Sequence, residues 1–380
     1  MTTFRLKMLP AADGDCLLLS WGDGPLHHMV IDGGRKSAYP HLNDELAAIA
    51  DKGERLALYV LTHVDADHIE GALAYLKDVN RPLLPQQVWH NGYDEMRRVS
   101  SLNTRSVRQG DEWSKAIARL RLPMNLPFDD RVASVETAGS APIEIEGLRI
   151  TLLSPTSEQL ARMWSEWEER RSDSAARGED MRASAGRSTA PFPSPIVVED
   201  LIAGGATDTK APNGSSIAFV AEWKGRRVLL SGDAHPDVLA ASIRPLAKRE
   251  GSGRYRVDLL KASHHGSKKN TSRELIELLD CRQMAISTSG AMHDHPDPES
   301  IAQFLHFGPS GPKRLWFNYS TSRTEPWGDP LIQKQHDYLA FYPQQTAGVG
   351  MIDIMADPEG QISESELNEA LDPASGLLDN

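Results

Sequence analysis

Cysteine is nearly absent: the 380 residues contain two, Cys16 and Cys281. That scarcity excludes a disulfide framework. Both lie beside apolar residues, which reads as buried thiols rather than ligands or nucleophiles. Long hydrophobic runs are missing too, and nothing approaches the ~20 apolar residues of a membrane span. The opening stretch MTTFRLKMLPAADGDCLLLSW has no apolar core of signal-peptide length followed by a small-residue cleavage site. The expectation is a soluble, cytoplasmic protein with no membrane association. Positive charge is in deficit, with a formal net charge of −12. This excludes coating of nucleic acid by bulk attraction. It leaves room for an enzyme whose cleft carries its own cations.

What is present is ordinary globular material, 40% hydrophobic and 25% charged. FRLKML alternates, while DCLLLSW, HHMVIDGG and LALYVLTH are apolar runs of strand type. Helical spacing over Leu42, Leu46 and Ile49 separates the last two. The second half repeats the theme. SSIAFVAEW and RRVLLSGDA pair around Lys224-Gly225, and VDLLKASHHGS and QMAISTSG alternate with helical segments. Such a pattern suits two mixed sheets packed face to face with helices outside. One domain over 1–356 is expected, with a locally basic insertion near 95–140 (Arg97, Arg98, Arg105, Arg108, Lys115, Arg119, Arg121). A Ser/Ala/Arg/Pro-rich stretch near 165–213 reads as a flexible insertion, and 357–380 as an acidic tail.

The chemistry-bearing residues follow the apolar runs. They are Asp32 after MVI, His63, Asp65, Asp67 and His68 after LYVLT, Asp233 after VLLSG, His264 and His265 after LLKAS, and His295 in HDHP. Strand ends along one sheet edge open on a common cleft. A metal site needs imidazoles and carboxylates drawn from several such ends. His63 and Asp65 can project to one side of their loop, whereas the adjacent Asp67 and His68 diverge. Two sub-sites result, and a carboxylate such as Asp233 can bridge them.

THVDADHIEG resembles the signature loop of the metallo-β-lactamase superfamily, usually His-x-His-x-Asp-His. VIDGG and SGDA resemble its early turn and later acidic motif. The Asn-x-Ser of Asn213–Ser215, LLSGDA, Lys-x-x-HHGS and the late His-Pro resemble the hydrolase domain of competence DNA-uptake (ComEC-type) proteins. The resemblance spans about residues 4–355. It implies a four-layer αββα metallo-β-lactamase sandwich of class α/β. It also implies two divalent metal ions, zinc or manganese, held by His63, Asp65, Asp67, His68, Asp233, His264 and His295. Asp67, His264 and His265 would serve catalysis, and Asp32 would orient the loop. Asn213 and Ser215 would either position substrate or cap the strand, and Lys268, beside Lys269, would either receive phosphate or stand solvated. Two departures stand out. Asp65 replaces the second signature histidine, and Ser-Pro-Thr follows RITLL where a middle histidine ligand belongs. His90 is a candidate replacement, although a loop histidine is the plainer reading; His27, His28 and His41 read as surface residues.

The implied activity is hydrolysis of a phosphodiester, in nucleic acid or a nucleotide, with possible protein partners in a multi-component bacterial system. Two alternatives stay open: hydrolysis of a carbon ester, lactone or thioester on the same fold, and a non-catalytic partner that keeps a degenerate metal centre.

Overall fold

The computed structural model describes residues 2–92, 96, 108–129, 131–165, 192–203 and 205–355. The first sheet is built from β1 (Thr3–Met8), β2 (Leu17–Gly22), β3 (His27–Ile31), β4 (Arg55–Val60), β5 (Val88–Trp89) and the late β16 (Gly350–Asp353), in the order β16-β1-β2-β3-β4-β5. The second sheet contains β6 (Ile143–Ile145), β7 (Leu148–Ser154), β8 (Ala218–Trp223), β9 (Arg226–Leu230), β11 (Leu259–Lys261), β13 (Gln283–Ile286), β14 (Lys313–Phe317) and β15 (Tyr338–Phe341). Its order is β15-β14-β13-β11-β9-β8-β7-β6. β10 (Tyr255–Arg256) and β12 (Leu279–Asp280) form a separate short pair.

Three apolar layers hold these sheets together. Between the sheets, Phe4, Leu6, Trp21 and Leu58 meet Leu148, Ile150, Phe219 and Val228. Outside the first sheet lie α1 (Tyr39–Asp51), α2 (Ala66–Lys77) and α3 (Arg108–Leu120), which bury Leu42, Leu46, Ile69, Leu73, Trp113 and Ile117. Outside the second lie α4 (Pro236–Glu250), α5 (Arg273–Glu277), α6 (Pro298–Phe307) and α7 (Pro330–His336), with Leu239, Ile243, Leu275, Ile301 and Phe304 in the core. The result is the four-layer αββα sandwich. Each helix follows the i, i+3/i+4 spacing of its apolar residues, and both sheets are buried on two faces, which accounts for the continuous apolar strands.

Cys16 and Cys281 are free and buried, and burial pushes the Cys281 thiol up to about 12. Among the described residues, no helix is long and apolar enough to cross a membrane. Two expectations change. Residues 166–191 of the presumed flexible stretch lie outside the described residues, as do Arg97, Arg98, Arg105 and the tail 357–380. The later part is packed: Ile196 and Val198 are buried in the outer core of the second sheet. Their apolar side chains reach that core although the surrounding composition is polar. His28, expected at the surface, is buried between Ser20 Oγ (2.8 Å) and Glu54 (3.0 Å).

The strands that matter for chemistry end together. β3 and β4 run parallel, as do β9, β11 and β13, so their carboxyl ends share an edge within each sheet. Helix α2 is fixed there by backbone contact. Gly33 N–H donates to His68 C=O (2.8 Å), and Gly71 N–H donates to Gly34 C=O (2.9 Å). A Cβ on Gly33 would lie 2.1 Å from Ala72 N, and one on Gly71 would lie 1.9 Å from Gly33 O. Gly33 of VIDGG and Gly71 of α2 therefore allow the turn to touch the helix that carries Asp67 and His68. Gly33→Ala should cost about 1–3 kcal/mol or more, because neither backbone can yield. Chemical denaturation measures this, and an unchanged midpoint would contradict the contact.

A candidate metal centre between the sheets

Each histidine at this edge has one nitrogen occupied, and the identity of its partner settles the other. Asp32, held in a left-handed conformation (φ 59°), accepts from Thr62 N–H (2.7 Å), Thr62 Oγ1 (2.8 Å) and His68 Nδ1 (2.7 Å). A carboxylate only accepts, so His68 carries its hydrogen on Nδ1 and presents Nε2 inward. The Thr62 hydroxyl, which gives its hydrogen to Asp32, lies 3.0 Å from His63 Nδ1, and Ser216 Oγ lies 3.2 Å from the same nitrogen, so both hydroxyls hold this side of the ring. His63 also presents Nε2. His265 Nδ1 donates to Ser287 C=O at 3.1 Å, which leaves its Nε2 free. The Nε2 atoms of His63, His68 and His265 are all buried without a protein partner, and so is Asp233 Oδ1. Buried polar atoms rarely stay unpaired, so several converging on one space indicate a missing ligand.

Asp233, on the turn after β9, organises this space. Its Oδ1 lies 3.4 Å from His68 Nε2 and 3.8 Å from His265 Nε2. Its Oδ2 lies 3.7 Å from His63 Nε2 and 3.6 Å from His264 Nε2. Asp67 Oδ2 completes the first side, 3.3 Å from His265 Nε2 and 3.9 Å from His68 Nε2. Ligands about 2.0–2.2 Å from a zinc ion stand roughly 3–3.7 Å from one another, so this group fits a divalent cation. Within it, Asp67, His68 and His265 form one compact acceptor set, and His63, His68 and Asp233 form another. Asp65 Oδ2 lies 3.9 Å from His63 Nε2 with its side chain 40% exposed, at the open side.

The electrostatics match a cation site. Burial alone would lower His68, but Asp233, Asp32 and Asp67 outweigh it and hold the imidazole well above its ordinary value. Burial likewise opposes His265, yet Asp15 and Asp233 push it up to about 10. His63 goes the other way, down to about 4, through burial and the neighbouring His68. Burial would raise Asp233, but His264, His68 and His265 keep it well below the usual carboxylate range.

Other expected residues sit elsewhere. His295 joins none of the acceptor groups. Its Nδ1 lies 3.5 Å from Asp297 Oδ2 and its ring meets His264 at 5.3 Å, because His265 already fills the place next to Asp67. His264 Nδ1 donates to Asn270 Oδ1 at 3.0 Å and stands 3.5 Å from Asp208 Oδ2. Asn213 donates to Asp208 (2.7 Å), and Ser215 Oγ donates to Pro212 C=O (2.7 Å), so both brace the loop. Lys268 is committed to Glu299 at 2.7 Å. His90 is fully buried beside Trp113 and outside the acceptor groups. Asp15, Asp208, Lys261 and Asn270 join the cluster or its supports without standing out in the sequence. Asp208 lies in polar sequence without a signal, and Lys261 is visible only as the first residue of Lys-x-x-HHGS.

Fold and cluster together define an αββα protein with a candidate divalent-metal centre, which fits a metal-dependent enzyme. No family model matches the sequence, and no curated protein matches it. Among solved structures, the chain is similar to zinc-bound PqqB from Methylobacterium extorquens, at 11% identity over 92% of this chain and 99% of that one (TM-score 0.41). It is also similar to a variant of the β-hydroxylase CmlA, at 11% identity over 92% and 54% (TM-score 0.39). A third is metallo-β-lactamase SMB-1 bound to 2-mercaptoethanesulfonate, at 11% identity over 68% and 79% (TM-score 0.25). Likenesses this distant transfer neither ligand nor chemistry, so the site rests on the chain's own residues.

Asp67→Ala and His68→Ala should each lower bound metal, by elemental analysis, while circular dichroism shows the fold retained. The sandwich has three apolar layers, so it should not depend on metal to fold as a zinc finger does. Unchanged metal content in both variants would overturn the assignment.

Proposed function

We propose that this protein is a metal-dependent hydrolase of the metallo-β-lactamase superfamily that cleaves phosphodiesters, in nucleic acid or nucleotides. One observation carries the reading: the two oxygens of Asp233 divide four imidazoles into two pairs. Asp67, His68, His265 and Asp233 Oδ1 would hold one ion, and His63, Asp65 and Asp233 Oδ2 the other. Bound zinc or manganese would supply Lewis acidity and a water activated near neutral pH. The second sub-site has one nitrogen and two carboxylates, a hard, oxygen-rich set that suits a phosphoryl oxygen and tolerates manganese.

The remaining work falls to the chain. Asp32 and Ser287 fix the tautomers of His68 and His265, and Thr62 and Ser216 hold the ring of His63. His264 is the least enclosed of the four imidazoles around Asp233, with its side chain 15% exposed. Its Nδ1 hydrogen is tied to Asn270, so Nε2 is the atom that would hand a proton to the leaving oxygen.

His264→Ala and His265→Ala should therefore differ in kind. His265→Ala should lose metal. His264→Ala should keep it and slow hydrolysis of an unactivated phosphodiester by roughly 10²–10⁴-fold. A nitrophenyl phosphodiester, whose leaving group needs no proton, should be spared. If both variants lose metal together, or both cleave every substrate normally, the division of roles is wrong. Profiling the wild type with phosphodiesters, carboxylic esters and thioesters in zinc and in manganese tests the substrate class. Faster turnover of the esters would overturn the phosphodiesterase reading.

A further inference from the structure

Beneath the Asp67–His68–His265 group lies a second buried tier. Lys261 is the last residue of β11, a central strand of the second sheet. Strand periodicity puts it on the same face as Leu259, which packs in the layer between the sheets. A core position is thus occupied by a lysine with no solvent exposure. Its Nζ donates to Ala262 C=O (2.8 Å) and pairs with Asp15 Oδ2 (2.7 Å). Asp15 belongs to the turn between β1 and β2, so the pair links the two sheets. Its other oxygen, Oδ1, is buried with no hydrogen bond and lies 3.5 Å from His265 Nδ1.

A buried ion pair gains little stability over well-packed neutral side chains. A lysine in this layer therefore calls for a reason beyond folding. His264 and His265 both hold left-handed backbone conformations (φ 49° and 56°), which a non-glycine residue keeps only under constraint from its surroundings. Ser287 C=O constrains the imidazole on one side. Asp15 Oδ1 faces the same Nδ1–H and is held in place by Lys261. The neighbouring Gly14 is pressed so close to the Asp67 loop that a Cβ there would lie 1.7 Å from Asp67 O. The turn carrying Asp15 and the first turn of α2, which carries Asp67, are therefore in direct backbone contact.

We propose that Asp15 and Lys261 are positioning residues that orient His265 and selectively govern retention of the ion in the Asp67–His68–His265–Asp233 sub-site. This rests on the metal-centre reading above. In the other sub-site, neither His63, held by Thr62, nor Asp65, at the open side, has contact with the pair among the described interactions.

The test titrates zinc into the metal-free full-length chain against a chromogenic chelator, with chemical denaturation of the same samples. Three variants are compared: Asp15→Asn, Lys261→Met and the double variant. Asp15→Asn should weaken the tighter zinc by about 10–100-fold, the usual cost of losing a partner behind a metal-bound histidine. The weaker zinc should bind unchanged. Lys261→Met leaves a buried carboxylate unpaired, so it should also destabilise the fold. The double variant removes both charges and should regain the denaturation midpoint without regaining zinc affinity. A purely structural pair would recover both together, which would overturn the proposal, as would equal weakening of both ions. A wild-type chain that takes up no zinc or manganese would overturn the metal-centre reading instead.

Discussion

Asp233 imposes the constraint on which the rest of the site depends. It is a fully enclosed carboxylate with two oxygens and four imidazoles around it. A buried charge of this kind is tolerated only when opposite charge is supplied at close range. Here the carboxylates Asp15, Asp32 and Asp67 crowd in as well, and Lys261 is the one lysine in direct contact with them among the described ion pairs. The cluster therefore demands further positive charge. Protons on His68 and His265 can supply it, and so can divalent ions. The fold's task is to keep that demand focused on one small space.

It does so by bringing rigid pieces from both sheets to one edge. From the first sheet come the VIDGG turn and the loop before α2. From the second come the turns after β9, β11 and β13. None of these pieces is locally comfortable. Asp32, His264 and His265 all take left-handed backbone conformations, and Gly14, Gly33 and Gly71 lie within reach of another segment's backbone. Each is stabilised by contacts from other segments, so the site is a property of the assembled sandwich rather than of any loop.

The two halves of the centre differ in character. Asp67, His68 and His265 are enclosed and backed by Asp32, Ser287 and Asp15, which favours firm, geometrically defined binding. His63 and Asp65 sit beside the opening, where the carboxylates of Asp65 and Asp233 face the His63 imidazole. In the proposed two-ion centre, a rigid half would retain one ion while an open half would admit a substrate oxygen near the other.

The architecture and most members of the candidate cluster were legible in the sequence, because both are written locally. Continuous apolar runs mark strands buried on two faces. Helices show their period of 3.6, and His, Asp and Gly at the ends of those runs mark the functional edge. HVDADH and SGDA could therefore be placed before any coordinates. Three things were decided only in three dimensions. The choice of His265 over His264 and His295 beside Asp67 depends on two successive left-handed residues, which no pattern announces. The hydrogen on His68 and on His265 depends on partners from distant segments, Asp32 for the first and Ser287 for the second. Lys261 reads as an ordinary strand residue until Asp15 arrives from the opposite sheet. Sequence patterns report which faces of a segment are apolar. They do not report which polar atom, from elsewhere in the chain, will meet a buried one.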